Sequence, residues 1–560
     1  MQVSGLTCYY SRRMKTIDSV RRDLLRFGSF GVAAAAAPAL ALAADKHSLS
    51  PRPDHAAANP SFNVRHYGAT GDGKTVDSPA INRAIEAASA AGGGTVVLPA
   101  GVYMSFSIRL KSNVHLYLSQ GCTILAADSP TPGEQTGYRS GVYDAAEPNT
   151  PWEHYQDYGH NHWHNSLLWG EDLHDISITG PGLIWGRGLS NGRKVSEWGT
   201  AFVAEQVGVG NKAIALKKCH NVILRDFSIL KGGHFGLLLT GVDNLTIDNL
   251  IIDTDRDGMD IDCCQNVRVT SCTVNSPWDD GICPKSSYAL GYRRDTKNVT
   301  ISNCWVTGTY ELGSIIDGTF RKFPEDKPIW RTGRIKCGTE SNGGFINITI
   351  TNCTFEGCYG YALETVDGAL LEDITISNTT MRDLTCGPLF LRLGARLRGP
   401  QATTHIGKLR RVLVSNLDCY NATPKFSSIF AGLPGHEIED VKLSNIYIET
   451  SGGHSTPVAE PLNKPAGYPE PTMFGTTPAY GFFIRNLRNL EMSHVELATR
   501  ANDVRPAIYL DRVDRADFFA ITAPVHQGGA FSLHNVKDFR LGWSRAAADR
   551  NLPEADNLTL

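Results

Sequence analysis

From about residue 60 the chain repeats one short pattern of apolar and polar positions. Asn221-Val-Ile-Leu-Arg-Asp-Phe-Ser-Ile is followed by Asn244-Leu-Thr-Ile-Asp-Asn-Leu-Ile-Ile and Asn266-Val-Arg-Val-Thr-Ser-Cys-Thr-Val, then by copies at Asn298 and Asn347. Weaker copies start at Asp373, Arg411, Asp440 and Asn489. Within each copy apolar and polar residues alternate, the period of a strand with one buried face. The first copies stand 22 to 23 residues apart and later ones 32 and 49, so insertions separate the later strands. A period near 22 with short strands and Asn or small residues at the bends predicts an all-β fold, a single-stranded right-handed parallel β-helix. Coils stacked at about 4.8 Å put equivalent side chains in ladders. Asn at a bend can hydrogen-bond along such a ladder, and Cys272, Cys304 and Cys353, alike in position, are expected to form a buried column.

A solenoid needs closed ends. Ser78 reads as a helix N-cap and Pro79 as its first turn; Ile81, Ala84, Ile85 and Ala88 share one face, and Gly92-Gly93-Gly94 stops the pattern. This N-terminal helix is expected to cap the first coil. Ahead of it, Arg21-Arg22 precedes a mildly apolar, Ala-rich run ending Ala41-Leu42-Ala43, which is similar to a bacterial twin-arginine export signal. The expected organisation is a signal at 1–43, a linker at 44–60, the β-helix at 61–550 and a C-terminal tail at 551–560. That implies a periplasmic or secreted protein with no membrane insertion.

Composition changes the picture little. With 41% hydrophobic and 20% charged residues the chain is globular. A formal net charge of −3 argues against nucleic acid or anionic lipid as the main partner. The 13 cysteines are odd in number, scattered and without a C-x-x-C pair, so buried free thiols are expected rather than zinc ligands or a disulfide framework.

The opening of the repeat region carries a more specific signal. Phe62-Asn63-Val64, Gly68, Gly71-Asp72-Gly73 and Asp77 precede the helix, and Gly94-Thr95-Val96-Val97-Leu98-Pro99-Ala100-Gly101 follows it. This run resembles the opening segment of the pectin-lyase-like β-helix superfamily. The resemblance speaks for fold and not for chemistry.

Chemistry enters with two acidic clusters, Asp253-Thr-Asp255-Arg-Asp257-Gly-Met-Asp260-Ile-Asp262 and Trp278-Asp279-Asp280-Gly281. Asp257 and Asp279 are 22 residues apart, one repeat, so the clusters are expected to stack on a solvent-facing strip. Like charges so close raise at least one pKa unless a proton or cation intervenes. Three readings follow: Asp as turn residues, as for Asp253 or Asp262; a calcium site; or the acid and base of glycosidic hydrolysis. Arg334-Ile335-Lys336 in a later coil puts two cations on one face, which favours a carboxylate-bearing substrate over a plain salt-bridge ladder.

Together the motifs resemble glycoside hydrolase family 28, the polygalacturonases and rhamnogalacturonan hydrolases. Asp255-Arg256-Asp257 stands for the family's Asn-Thr-Asp, Asp279-Asp280 for its Asp-Asp, with Gly281-Ile282-Cys283-Pro284-Lys285-Ser286 following in familial style, and Arg334-Ile335-Lys336 matches letter for letter. The resemblance implies Asp279 as general acid and Asp257 with Asp280 holding the attacking water, with inversion at the anomeric carbon. Arg334, Lys336 and Lys285 would bind substrate. Two departures stand out: the first motif lacks Asn and Thr, and the family's Gly-His-Gly has no counterpart. Tyr310 and Glu311, in Gly308-Thr309-Tyr310-Glu311-Leu312-Gly313-Ser314, are candidates for the vacated space.

The segment from Trp152 to His164 is dense in His and aromatics, and His162 is a candidate contact for sugar hydroxyls. Glu340, Glu364 and Asp367 are expected to be exposed, either lining the same cleft or acting only as turn residues. Insertions near 285–297 and 317–333 would wall it, favouring short oligosaccharides and exo action. No role is evident for 451–480. The reading is an inverting hydrolase of a pectin-type oligosaccharide with no cofactor and no metal. The rivals are a calcium-dependent lyase or epimerase of the same fold, or a non-catalytic carbohydrate-binding β-helix.

Overall fold

The computed structural model describes residues 60–192, 202–312, 315–327, 329–525 and 529–560. The signal and linker at 1–59 lie outside them. Apart from the last two, the described strands pair in parallel, each with its equivalent one coil on. One inward column passes from Ile176 to Val222, Leu245, Val267, Val299 and Ile348, rung by rung in register. All six are buried, because alternation turns every second residue into the same narrow core.

The chain turns corners by left-handed backbone. Asn221, Asn244, Asn266, Asn298, Asn347, Asp373, Arg411, Asp440 and Asn489, the residues that open each sequence copy, all have φ between 49° and 63°. Asn tolerates this region best after Gly, and here its amide also pairs along the stack. Asn244 donates to Asn221 Oδ1 at 2.8 Å, Asn298 to Asn266 at 2.9 Å and Asn347 to Asn298 at 2.9 Å. A second ladder follows five residues on, with Asn249 donating to Asp226 and Asn416 to Asn378. The cysteine column is present. Cys272, Cys304 and Cys353 are buried, each sulfur 3.2–3.3 Å from the carbonyl two residues before it. All twelve described cysteines are free and buried.

The first end is closed by an α-helix, Ser78–Ala90, with Ala80, Ile81, Ala84, Ile85 and Ala88 buried. Its N-cap is Asp77, one residue earlier than expected. The Asp77 carboxylate is taken by the amides of Thr70 and Gly71, while Ser78 Oγ accepts from Phe106 N. At the other end, residues assigned to a tail form strands instead. Arg550–Ala555 pairs antiparallel with Val536–Gly542, and Leu558–Thr559 with Phe531–His534. Reversing direction there covers an edge that a further parallel coil would otherwise have to pair. No described helix is long and apolar enough to cross a membrane.

One face matters for function. Strands Ser166–Glu171, Lys212–Lys217, Phe235–Thr240, Asp257–Asp262 and Ile282–Lys285 stack in order as a separate sheet, continued by the Ile282–Ile335 bridge. Its outer face is roofed by the 142–165 segment: Trp163 packs on Ala215, Phe235 and Leu238.

Candidate active site

In the strand Asp257–Asp262, Met259 and Ile261 face the core and alternation turns Asp260 outward, while Asp257, at the strand's first position before Gly258, lies beside the Asp280 and Lys285 side chains. One coil on, Gly258 N donates to Asp280 O at 2.9 Å and Met259 N to Gly281 O at 3.0 Å, so Asp257 and Asp280 lie side by side. Gly258 permits that approach, since a Cβ there would fall 2.5 Å from the Gly281 carbonyl oxygen. A carboxylate oxygen from each of Asp257, Asp279 and Asp280 lies within 4.8 Å of the others. The Asp280 amide donates to both Asp257 Oδ1 and Asp279 Oδ1 at 3.1 Å.

The group is not a solvent-facing strip. Asp257 and Asp280 are buried, and only the Asp279 side chain, 24% exposed, reaches solvent. Loops from distant coils enclose the acids, which a repeat-by-repeat reading of the sequence does not show. Each acid meets a different set of cations. Arg334 Nε donates to Asp280 Oδ1 at 2.7 Å and Lys336 pairs with its other oxygen. Arg256 donates to Asp279 Oδ2 through Nη2 at 2.9 Å and Nε at 3.2 Å. Among the described residues Asp257 forms an ion pair with Lys285 alone, 4.0 Å away and shared with Asp260 at 3.8 Å and Glu340 at 3.2 Å.

These neighbours set the protonation. Burial, with Asp279 and Asp260 adding repulsion, raises the Asp257 carboxyl well above the ordinary range. Burial acts the same way on Asp279, but Arg256 and Lys336 overcome it and hold that carboxyl below its usual value. Asp280 is likewise held down against burial by Arg334 and Lys336. These unequal neighbours favour a proton on Asp257 over Asp279 and Asp280. Three close carboxylates could also ligate a divalent ion. Here Arg256, Lys285, Arg334 and Lys336 already supply the charge that such an ion would bring, which disfavours a cation. A second group, Glu147, His164 and Glu171, has Lys217 Nζ 2.8 Å from Glu171.

The other expected residues divide. Arg334 and Lys336 are buried and directed at Asp280, and Arg334 also pairs with Glu470. Lys285 joins the acids. His162 does not: it is buried, stacked on Tyr158 at 3.9 Å with Nδ1 2.8 Å from the Tyr158 carbonyl oxygen. Its neighbour His160 reaches the site instead, 3.3 Å from Asp260 and 3.8 Å from Glu340. Tyr310 packs against Trp305 and Phe320 and donates to Glu356 at 2.8 Å, and Glu311 pairs with Arg321. Neither contacts the acids. Glu340, Glu364 and Asp367 are buried rather than exposed, because the later coils and 451–480 fold over them. Burial pushes Glu364 up to about 8 despite Lys336 and Arg334 nearby. Asp253 and Asp262 are structural, accepting from Asn275 and from Ser287 respectively.

Sequence reasoning missed His160, Tyr468 and Glu470, and gave Arg256 no role. Arg256 was visible as a departure within a motif. The 451–480 loop brings Glu470 to Arg334 and the Tyr468 hydroxyl to Thr339 Oγ1 at 3.2 Å, with no local signal to announce it. The 317–333 insertion sets Trp330 edge-on to Trp278, beside Asp279.

Fold and site together define a right-handed parallel β-helix with a buried carboxylate triad on one outer face. Residues 61–136 match the family model "Rhamnogalacturonase A/epimerase, pectate lyase-like", and 197–306 match "Right handed beta helix region". These matches support a pectin-lyase-like β-helix protein similar to glycoside hydrolase family 28. It is 27% identical over 291 residues to an exo-poly-α-D-galacturonosidase of Dickeya chrysanthemi, covering 44% of this chain and 45% of that one. It is 33% identical over 135 residues to a mannuronan C5-epimerase of Azotobacter vinelandii, covering 21% of this chain and 14% of that one. The match thus spans under half the length of these curated relatives. The family 28 exopolygalacturonase of Yersinia enterocolitica shares the fold, with a TM-score of 0.59 at 18% identity over 82% of this chain and 78% of that one.

Proposed function

We propose that the protein is an inverting, exo-acting glycoside hydrolase that cleaves α-linked, galacturonate-type oligosaccharides derived from pectin. The observation that carries this reading is the triad itself: three carboxylates with oxygens within 4.8 Å of one another, unequally paired with cations and opening to solvent at Asp279. Hydrolysis needs a proton donor to the glycosidic oxygen and a base for water. Asp257 and Asp279 share the Asp280 amide and act as a dyad with one proton. Asp279, the member reaching solvent, delivers the proton; the bond to the anomeric carbon breaks as its electrons pass to the leaving oxygen. Asp280, with Asp257 once it has given up its proton, orients the water and takes the proton it loses. Exo action is supported by the 142–165 segment, which roofs the sheet face on the amino-terminal side of Asp257. Similarity to an exo-poly-α-D-galacturonosidase favours the same substrate class.

The protein incubated with a panel of pectic oligosaccharides, with products followed by NMR, should release one sugar or disaccharide unit of inverted configuration. Retention, or mid-chain cutting, would contradict the proposal. Similarity to an epimerase motivates a calcium-dependent rival of the same fold. That rival requires EDTA sensitivity, and for a lyase an unsaturated, ultraviolet-absorbing product. Export through the Arg21-Arg22 signal belongs to the same proposal, and a fusion of residues 1–43 to a reporter, with Arg21 and Arg22 changed to Lys, tests it.

A further inference from the structure

On the outward row that carries Asp257, two rungs toward the amino terminus, stands Lys212. Lys212 is in register with Phe235, and Phe235 with Asp257. At about 4.8 Å per rung, the two backbones are about 10 Å apart. Lys212 is 0% exposed, and its Nζ has no hydrogen-bond partner. Ser166 is its register partner on the preceding coil, and Asn165 and Asn211 lead into the two strands, tied by Asn211 N donating to Asn165 O at 2.7 Å. Ser166 Oγ, Asn165 Oδ1 and both polar side-chain atoms of Asn211 are likewise buried and unpartnered.

Buried polar atoms are normally satisfied, and an ammonium without a counter-charge is the costliest kind to leave alone. Four neighbouring residues that break this rule together, on the face bearing the acids, point to a ligand that satisfies them. Their inventory specifies its chemistry. The ammonium, the hydroxyl and the Asn211 amide nitrogen donate; the two amide oxygens accept. A carboxylate flanked by hydroxyl groups matches that set, whereas a neutral sugar leaves the ammonium uncompensated.

We infer that Lys212, Asn211, Ser166 and Asn165 form a subsite for a carboxylate-bearing sugar, with the carboxylate on Lys212. The sugar bound on the amino-terminal side of the acids must then be a uronate in its free-acid form. This inference rests on the hydrolase reading for its substrate class. It also accounts for the amine itself: burial lowers Lys212 to about 7, with Glu147 its one opposing influence, so a bound carboxylate would draw a proton onto it. His160 and His234 flank Phe235 at 4.9 and 4.2 Å, and Asp257 is its register partner on the next coil.

Calorimetry on the Asp279→Asn protein, which cannot turn over, tests this with digalacturonic acid and its methyl ester. At pH 8, in two buffers of different ionisation enthalpy, the acid should bind with net proton uptake and at least tenfold more tightly than the ester. Lys212→Met should abolish both the uptake and the preference. Ser166→Ala, a milder change should Lys212→Met fail to fold, should weaken the acid several-fold and the ester little. Equal affinity for acid and ester, or uptake that persists in the folded Lys212→Met protein, would overturn the subsite. Cleavage of galacturonate oligosaccharides with an unchanged KM in Lys212→Met sinks the subsite alone. Lys212-dependent binding without cleavage by the unsubstituted protein sinks the hydrolase reading alone.

Discussion

Arg256 occupies the position where family 28 carries Thr, and it is the charge nearest to Asp279. Arg256→Thr removes that charge while restoring the family's residue. The magnitude follows from the geometry. Two unit charges about 4 Å apart near a protein surface interact by about 4 kcal/mol at an effective dielectric of 20. Solvent contact at Asp279, 24% exposed, roughly halves this to about 2 kcal/mol. At 1.36 kcal/mol per pH unit, the Asp279 carboxyl should rise by about 1 to 2 units. Lys336 and Lys285 remain to moderate the rise.

The alkaline limb of kcat/KM reports the group that must be protonated in the free enzyme. If the dyad donates through Asp279, Arg256→Thr moves that limb upward by about 1 to 2 pH units, and Arg256→Lys by less. The assay is initial rate against pH on a galacturonate oligosaccharide, with the far-ultraviolet spectrum checked at both extremes. An upward shift of the acid limb, with the alkaline limb unmoved, would refute the assignment, because Asp279 would then work ionised. The resting ion pair also implies that productive substrate binding loosens Arg256 from Asp279 before the proton moves.

Glu364, raised to about 8, holds its proton in the folded state at pH values where the unfolded chain has lost it. Its contribution to stability is therefore present below about pH 4.5 and lost as pH rises toward 8. Glu364→Gln should gain on the parent protein across that window by on the order of 2–4 kcal/mol, seen as a Tm difference that widens with pH. Asn298 donates to Asn266 and accepts from Asn347, at φ 56°. Asn298→Ala should cost about 2–3 kcal/mol in denaturant unfolding, and Asn298→Gly less, since glycine keeps the backbone term. A common cost for both would contradict the backbone share. Trp330 is half exposed beside Trp278. Trp330→Ala should raise KM about 3- to 10-fold with kcat little changed, as loss of one aromatic contact implies; an unchanged KM would remove it from the cleft.

How much was legible in the sequence follows from what is local and periodic. The coil repeat, the inward columns, the capping helix and the Asn bends are set by residues within one period, so the alternation of Asn221-Val-Ile-Leu shows them directly. The triad was legible for the same reason, since a spacing of one coil stacks Asp257 beside the second cluster. What escaped depends on loops that break the period. Glu470 lies 136 residues from Arg334, and His160 comes from a segment in which His162 looked equally suited. Nothing in Tyr158-Gly159-His160-Asn161-His162 says which ring faces Asp260. A short 3-10 turn at Tyr158–His160 decides it, directing His160 inward and stacking His162 on Tyr158.

Burial is the deeper reason why the acids read as exposed. A parallel solenoid stacks like residues on like, so an acid on one coil tends to meet an acid on the next. Such a column is tolerable only if protons or cations neutralise it. In this chain the cations come partly from the following coil, as Arg334 and Lys336, and partly from within the acidic motif, as Arg256. Once neutralised, the column can be covered, and the covering loops raise the carboxyls they bury. Three acids of one residue type, in neighbouring positions, thereby acquire unequal proton affinities from unequal cation neighbours. The near-zero net charge of the whole chain conceals this division, which is what lets one member of the triad hold a proton while the others do not.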